Sequence, residues 1–400
     1  MTFGQGFLKI PISNYLLLSI IISVSLCFLN NEDAYSQALN NESIIDTLLE
    51  KANQFLDNYK YQEAKPYYDE VLEIEPFNSE ALTNKGVLFH DLGNYSEALK
   101  YYDKALIVNS SNIDALYNKG LVLDSLGNDS EALKYYDKAL IVNPNSIDIL
   151  STKANTLTIL GKYQEAIQYY DKVLEIDPNN IDTLNFKGVS LFDIGKYQEA
   201  IPYFDKVLEI DPNNVNALSF KGLSLNRLGD YIEALKYFDK ALIVNPRNID
   251  IWYYKGNIFT NLGNYQEATQ YYDKVLEIDP NNVNALYNKG LVLSNLGKYQ
   301  EATQYYDKVL EIDPTDIDTL GNKGTILYYI GKYQEAIQYY DKVLDIDPNN
   351  VNALHNKGNT LATLGKYQEA IPYFDKVLEI DPNNVNALYT KQLYLDDLGK

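Results

Sequence analysis

An all-α solenoid of antiparallel helix pairs is predicted by three observations. Glycine recurs at Gly86, Gly120, Gly188, Gly222, Gly256, Gly290, Gly324 and Gly358, and each interval is 34 residues or twice that. Ala154 fills the skipped place, Ala52 extends the series backwards and Gln392 forwards. Within each period, apolar or small residues fall at three-four spacing over two successive stretches, the mark of two amphipathic helices. Glycine and proline then stand where those helices must stop. Self-similarity at such a period means a stack in which each repeat buries its apolar face on its neighbours.

The chain of 400 residues opens on a different composition. Lys9 precedes the apolar run 15–29 (YLLLSIIISVSLCFL), which turns polar at Asn30, Asn31, Glu32 and Asp33. The run is shorter than the ~20 residues that span a bilayer, and Ala34-Tyr35-Ser36 supplies small residues for cleavage before Gln37. Residues 1–36 are therefore expected to be a signal peptide, or an uncleaved membrane anchor through residues 10–29, with 37–44 a short linker. Leu26 before Cys27 argues against a lipid-attachment site. Asn41, Asn94, Asn109 and Asn128 lie in N-x-S/T sequons, relevant only to an exported, glycosylated chain.

The first helix of a repeat, helix A, is read from Val283, Leu286, Gly290, Leu293 and Leu296. Gly297 stops it because glycine takes left-handed backbone angles. Helix B follows from Tyr299, Ala302, Tyr306, Val309 and Leu310, and Asp313-Pro314 ends it. Asn213-Asn214 and their equivalents place amides where the next helix needs its free N–H groups capped. Ala302 is small because two helices cross closely there, and the aromatic four residues on fills the adjacent space.

With these positions in register the sequence resembles the tetratricopeptide repeats. Ten full repeats are expected, R1 to R10, at 45–78, 79–112, 113–146, 147–180, 181–214, 215–248, 249–282, 283–316, 317–350 and 351–384, with a half repeat, R11, at 385–400. Position 20 is alanine from Ala64 to Ala370, position 24 is Tyr or Phe, and position 32 is proline except at Ser110. The resemblance implies a right-handed superhelix with eleven helices A and ten helices B. R11, with Gln392 in place of glycine and Tyr389, Thr390, Asp396 and Asp397 nearby, is expected to be a polar cap at the C-terminal end, the alternative being truncation of a longer chain.

Two departures from the family pattern stand out. Position 4, usually tryptophan in the family, is leucine at Leu48, Leu82 and Leu116, with Trp252 an exception. Position 7, usually leucine, is lysine in every helix A, from Lys51 to Lys391, while position 25 is aspartate in every helix B, from Asp69 to Asp375. A lysine in a helix seam must lay its stem on apolar neighbours and bring its ammonium to water or a carboxylate. A ladder of lysine–aspartate contacts is the expectation.

Composition narrows the function. The formal net charge of −21 repels phosphate backbones, so nucleic acid is not an expected partner. A single cysteine, Cys27, leaves no internal disulfide and no thiolate metal cluster. The two histidines, His90 and His355, are expected at the surface as ordinary polar residues. Repeats fill residues 45–400, with no phosphate-binding glycine loop or nucleophile motif, so an enzyme, a cofactor and a metal site are not expected.

Helix B is nearly identical between copies; 195–214 and 365–384 share the sequence GKYQEAIPYFDKVLEIDPNN. Helix A varies. In the family, helix A lines the concave groove through positions 2, 5, 6, 9, 12 and 13, which here carry Phe186, Phe192, Phe220, Arg227, Tyr253, Tyr254, Asn257, Tyr287, Asn288, Asn322, Tyr328 and Tyr329. Rigid aromatics are favoured anchors and amides can pair with an extended backbone. Arg227 is the only Arg or Lys at these positions, which argues against the carboxylate clamp by which some family members hold chaperone C-termini. The expected function is a binding scaffold, exported or tethered to the membrane only by its N-terminal segment, for a protein or peptide with basic residues and apolar anchors. The rival reading is a self-associating structural element of the cell envelope.

Overall fold

The computed structural model describes residues 41–397. The apolar run 15–29 with Cys27, the cleavage point before Gln37, and Gly399 lie outside the described residues. The described chain is all-α, in stacked antiparallel helix pairs. It divides into two compact bodies at Ser190 and Leu191.

In the first body a helix over residues 41–57 is followed by Tyr61–Ile74, Ser79–Asp91, Tyr95–Val108, Ile113–Ser125, Asp129–Val142, Ile147–Ile159 and Tyr163–Ile176. In the second body the same alternation runs from Tyr197–Ile210 and Val215–Arg227 to Tyr367–Ile380 and Val385–Asp397. From Ser79–Asp91 onward helix A has 13 residues, and where a helix B of 14 residues follows within the same body it packs most closely on that one, as Val283–Asn295 does on Tyr299–Ile312.

The local chemistry explains the alternation. Asn282 accepts a hydrogen bond from the Ala285 N–H at 3.0 Å, satisfying a free donor at the start of helix A, and Asn214 and Asn350 cap Ala217 and Ala353 alike. At the other end, Gly297 turns the chain at φ 74°, where a β-carbon would be strained. Within the pair, Ala302 and Tyr306 are fully buried. A β-carbon on Gly290 would lie 2.5 Å from the Tyr306 ring, so position 8 is small because the position-24 aromatic presses on the helix A backbone.

On the R11 helix Val385, Leu388, Tyr389 and Leu393 are exposed. One expectation is corrected: the histidines are not free at the surface. Both are partly buried, His355 edge-on to Phe374 at 5.6 Å and His90 against Tyr95 at 5.7 Å, because an imidazole on helix A can lie on the neighbouring ring. Burial holds the His355 imidazole below its ordinary pKa.

Candidate binding face

The lysine–aspartate ladder is present in both bodies. In the first, Lys85 pairs with Asp69, Lys119 with Asp103, Lys153 with Asp137 and Lys187 with Asp171. In the second, Lys221, Lys289, Lys323 and Lys357 pair with Asp205, Asp273, Asp307 and Asp341, while Lys255–Asp239 and Lys391–Asp375 measure 2.5 Å. Each aspartate belongs to the repeat before its lysine, so every rung joins two repeats.

Tyrosine at position 23, sixteen residues after the lysine, completes the arrangement. Lys289 lies 4.4 Å from the centre of the Tyr305 ring, Lys323 4.5 Å from Tyr339 and Lys119 4.4 Å from Tyr135. The ammonium thus sits between a carboxylate of one repeat and the ring of the next, in the geometry of a cation–π contact. Burial alone pulls the Lys289 ammonium down; hydrogen bonds to Asp273 and Tyr305, with their charge attraction, more than offset this and hold it above the ordinary lysine value. Sequence reading found the lysine and aspartate but missed the tyrosine, although Tyr67 to Tyr373 recur in step with them.

The residues expected to face a partner fall into small groups. In the first body Phe186 is 45% exposed, its ring stacked 6.3 Å from Tyr170. In the second, Phe192 and Phe220 meet edge-on at 5.6 Å, and Phe220 stacks on buried Phe204 at 5.9 Å. Arg227 is exposed in the last turn of its helix. Tyr254 stacks on Phe238 at 6.2 Å, and Tyr253 packs on Tyr272 at 6.1 Å. Tyr328 and Tyr329 meet at 5.8 Å, and Tyr329, stacked on Tyr299, is 64% exposed.

Hydrogen bonds show how the amides and phenols of this face are engaged between repeats. Asn288 donates to the Tyr253 hydroxyl at 2.9 Å and to Asn257 Oδ1 at 3.3 Å, while Asn257 Oδ1 also accepts from Tyr272 at 2.8 Å. Asn322 donates to the Tyr287 hydroxyl at 3.0 Å, and the Tyr287 ring lies on Tyr306 at 6.0 Å. The aromatics are therefore partly inter-repeat packing, with Phe186, Arg227 and Tyr329 the most open to solvent.

One opening interrupts this row. At R9 a cleft of about 180 Å³ is lined by Gly321, Asn322, Thr325, Tyr340, Asn350 and Asn356 among others. Gly321 stands at position 5, where R7 and R8 carry Tyr253 and Tyr287. Among the described residues no group of three or more His, Cys, Asp or Glu side chains could hold a metal ion, and no helix is long and apolar enough to cross a membrane.

Comparison with known proteins accords with this construction. No curated protein matches the chain. Among solved structures, the C-terminal part of a TPR repeat-containing protein from Cytophaga hutchinsonii is 19% identical, covering 60% of this chain and 98% of its own, with a TM-score of 0.53; it shows the fold. A tetratricopeptide repeat protein from Parabacteroides merdae is 22% identical over 63% of this chain and 99% of that one, at TM-score 0.45. YrrB, described as a TPR protein with an unusual peptide-binding site, is 26% identical over 47% of this chain and 97% of that one, at TM-score 0.43. A protein prenyltransferase alpha subunit repeat model matches residues 231–262, within the same helix periodicity. One tetratricopeptide repeat model matches residues 79–112, 113–146, 147–180, 181–214 and 249–282, and a second matches 281–349 and 315–383. Their joint reach over most of the helix pairs agrees with the turn glycines, the buried position-24 rings and the asparagine caps, and the chain belongs to the tetratricopeptide-repeat family.

Proposed function

We propose that this chain is a non-enzymatic scaffold that holds a peptide or protein segment against the variable positions of its helices A. The observation that carries the reading is the exposure of large rings on helices built to bury them: Phe186 and Tyr329 each leave close to half or more of their surface in water. Rigid aromatics of this kind bury large area on binding at small entropic cost. The net charge of −21 favours a partner with basic residues beside its apolar anchors, and raising salt should slow association more than it speeds release.

Selection of a random peptide library on the purified chain, followed by titration of the enriched peptides, tests this. Tyr329→Ala and Phe186→Ala should weaken binding about tenfold or more where each ring is an anchor. Enriched peptides that bind both variants as well as the parent would place the site elsewhere.

Export or membrane tethering through the N-terminal apolar run belongs to the same proposal. N-terminal sequencing of natively expressed protein should find a start near Gln37, or an intact chain in the membrane fraction. An intact, freely soluble cytosolic chain would overturn it.

The self-associating reading has its own support in Val385, Leu388, Tyr389 and Leu393, which expose apolar surface on the helix Val385–Asp397. Sedimentation equilibrium of the parent and Leu393→Glu distinguishes the two: association abolished by the glutamate favours a structural role, and a monomer in both favours the scaffold.

A further inference from the structure

We propose that the cleft at Gly321 is a receptor for one unphosphorylated tyrosine side chain of the bound segment, an inference that rests on the scaffold reading above. The chain itself shows what the cleft fits. In R7 and R8 the tyrosine at position 5 lies on the buried position-24 ring, Tyr253 on Tyr272 at 6.1 Å and Tyr287 on Tyr306 at 6.0 Å. Its hydroxyl accepts from the asparagine at position 6 of the next repeat, Asn288 at 2.9 Å and Asn322 at 3.0 Å. R9 keeps both partners, Tyr340 and Asn356, and both line the cleft. What it lacks is the phenol between them, because position 5 is Gly321.

Other rings of the second body show that this place is normally filled. Phe204 and Phe238 are covered by Phe220 and Tyr254 from position 6 of the following repeat, and Phe374 by His355 from position 5. Over Tyr340 these two places hold glycine and asparagine. A β-carbon built on Gly321 meets nothing within 4 Å, so no neighbour has moved in. Among the described residues the Asn356 amide has no hydrogen-bond partner, whereas Asn288 and Asn322 each donate to a tyrosine hydroxyl. A ring entering here would stack against the Tyr340 wall and take the Asn356 N–H on its hydroxyl. Asp318 on the lining disfavours a phenolate or a phosphorylated tyrosine by like-charge repulsion.

The test uses the full chain with p-cresol, toluene and p-tolyl phosphate as probes, followed by saturation-transfer NMR and titration. p-Cresol should saturate a site, with toluene and p-tolyl phosphate each at least about fivefold weaker, on the scale of one lost hydrogen bond. Gly321→Tyr should abolish that site by supplying the phenol from within, as Tyr287 does in R8. Asn356→Leu, which leaves helix packing in place, should erase the preference for p-cresol over toluene. Equal p-cresol binding in the parent and Gly321→Tyr, or an unchanged preference in Asn356→Leu, would overturn the proposal. Because these probes need no partner, a chain that binds selected peptides but shows no p-cresol site overturns the receptor and leaves the scaffold standing. A chain that binds p-cresol but no peptide overturns the scaffold reading, and with it the bound tyrosine, leaving only a phenol-binding cleft.

Discussion

Nζ of Lys255 lies 2.5 Å from Oδ1 of Asp239, one repeat back, and 4.7 Å from the centre of the Tyr271 ring in its own repeat. The lysine side chain is 7% exposed and the aspartate 60%. That asymmetry decides what each substitution does. Asp239→Asn strands a buried ammonium and should cost about 1–3 kcal/mol, less than a fully buried pair because water reaches the broken side. Lys255→Met leaves an aspartate that water already solvates and should cost under about 1 kcal/mol. Urea midpoints for the two variants check the order, and equal losses would show that burial of the lysine is not what matters.

Alkaline pH should dissolve the ladder and the ring stack together. Lys289, Lys323 and Lys357 are held above the ordinary lysine value by their aspartate and tyrosine contacts against the pull of burial. Burial pushes the Tyr272 and Tyr340 phenols up to about 12. For both kinds of group the folded pKa exceeds the unfolded one, so the stabilisation is complete below the unfolded value and lost as pH rises through the folded value. Stability should therefore fall from about pH 10 upward. Tyr272→Phe should make that fall shallower, read from urea midpoints at pH 9 to 12, and a flat profile in the parent would refute the account.

The helix pairs were legible because glycine, alanine, aromatic and proline recur at fixed offsets that each have one physical use. The ladder was legible in its residue types but not its register, since a lysine at position 7 has aspartates both sixteen residues behind and eighteen ahead. Only packing selects the one behind. The binding face was the least legible. Position 5 of helix A lies at the edge shared with the next repeat and position 6 at the edge shared with the preceding one, so the same tyrosine serves as an anchor or as packing according to its neighbours. Tyr253 and Tyr287 turn partly inward for that reason. Gly321 carried a signal that the reading passed over, a glycine where two preceding repeats have tyrosine.

The turns between helices should respond to backbone angle alone. Gly297 has φ 74° and open space around its missing β-carbon. Gly297→Ala should thus cost about 1–2 kcal/mol with no steric share. In R1 the equivalent residue is Tyr59, which adopts φ 57°. Tyr59→Gly should stabilise by less than about 1 kcal/mol, because glycine also frees the unfolded chain. Opposite signs in thermal unfolding are expected, and a destabilised Tyr59→Gly would mean that the Tyr59 contact with Tyr61, 6.4 Å away, outweighs the backbone cost.

Asp124 gives the first body a pH dependence in the acid range. Its Oδ2 accepts from the Tyr136 hydroxyl at 2.6 Å and from Thr156, in the next repeat, at 2.7 Å. Oδ1 is buried without a partner among the described residues. Burial pushes the carboxyl above its ordinary pKa, and the two hydroxyl donors oppose that shift without cancelling it. A folded pKa above the unfolded one means that the folded state holds its proton longer. The contribution of this group is then greatest below the unfolded value of about 3.9 and declines as pH rises through the folded value. Asp124→Asn keeps an acceptor for Tyr136 and Thr156 but carries no charge, so it should remove this decline. Thr156→Val removes one donor to the carboxylate and should steepen it. The readout is the change in urea midpoint between about pH 3.5 and 7 for parent and variants, compared by difference so that carboxylates elsewhere cancel. A parent and Asp124→Asn with the same pH dependence would mean that water reaches Oδ1 and solvates the charge.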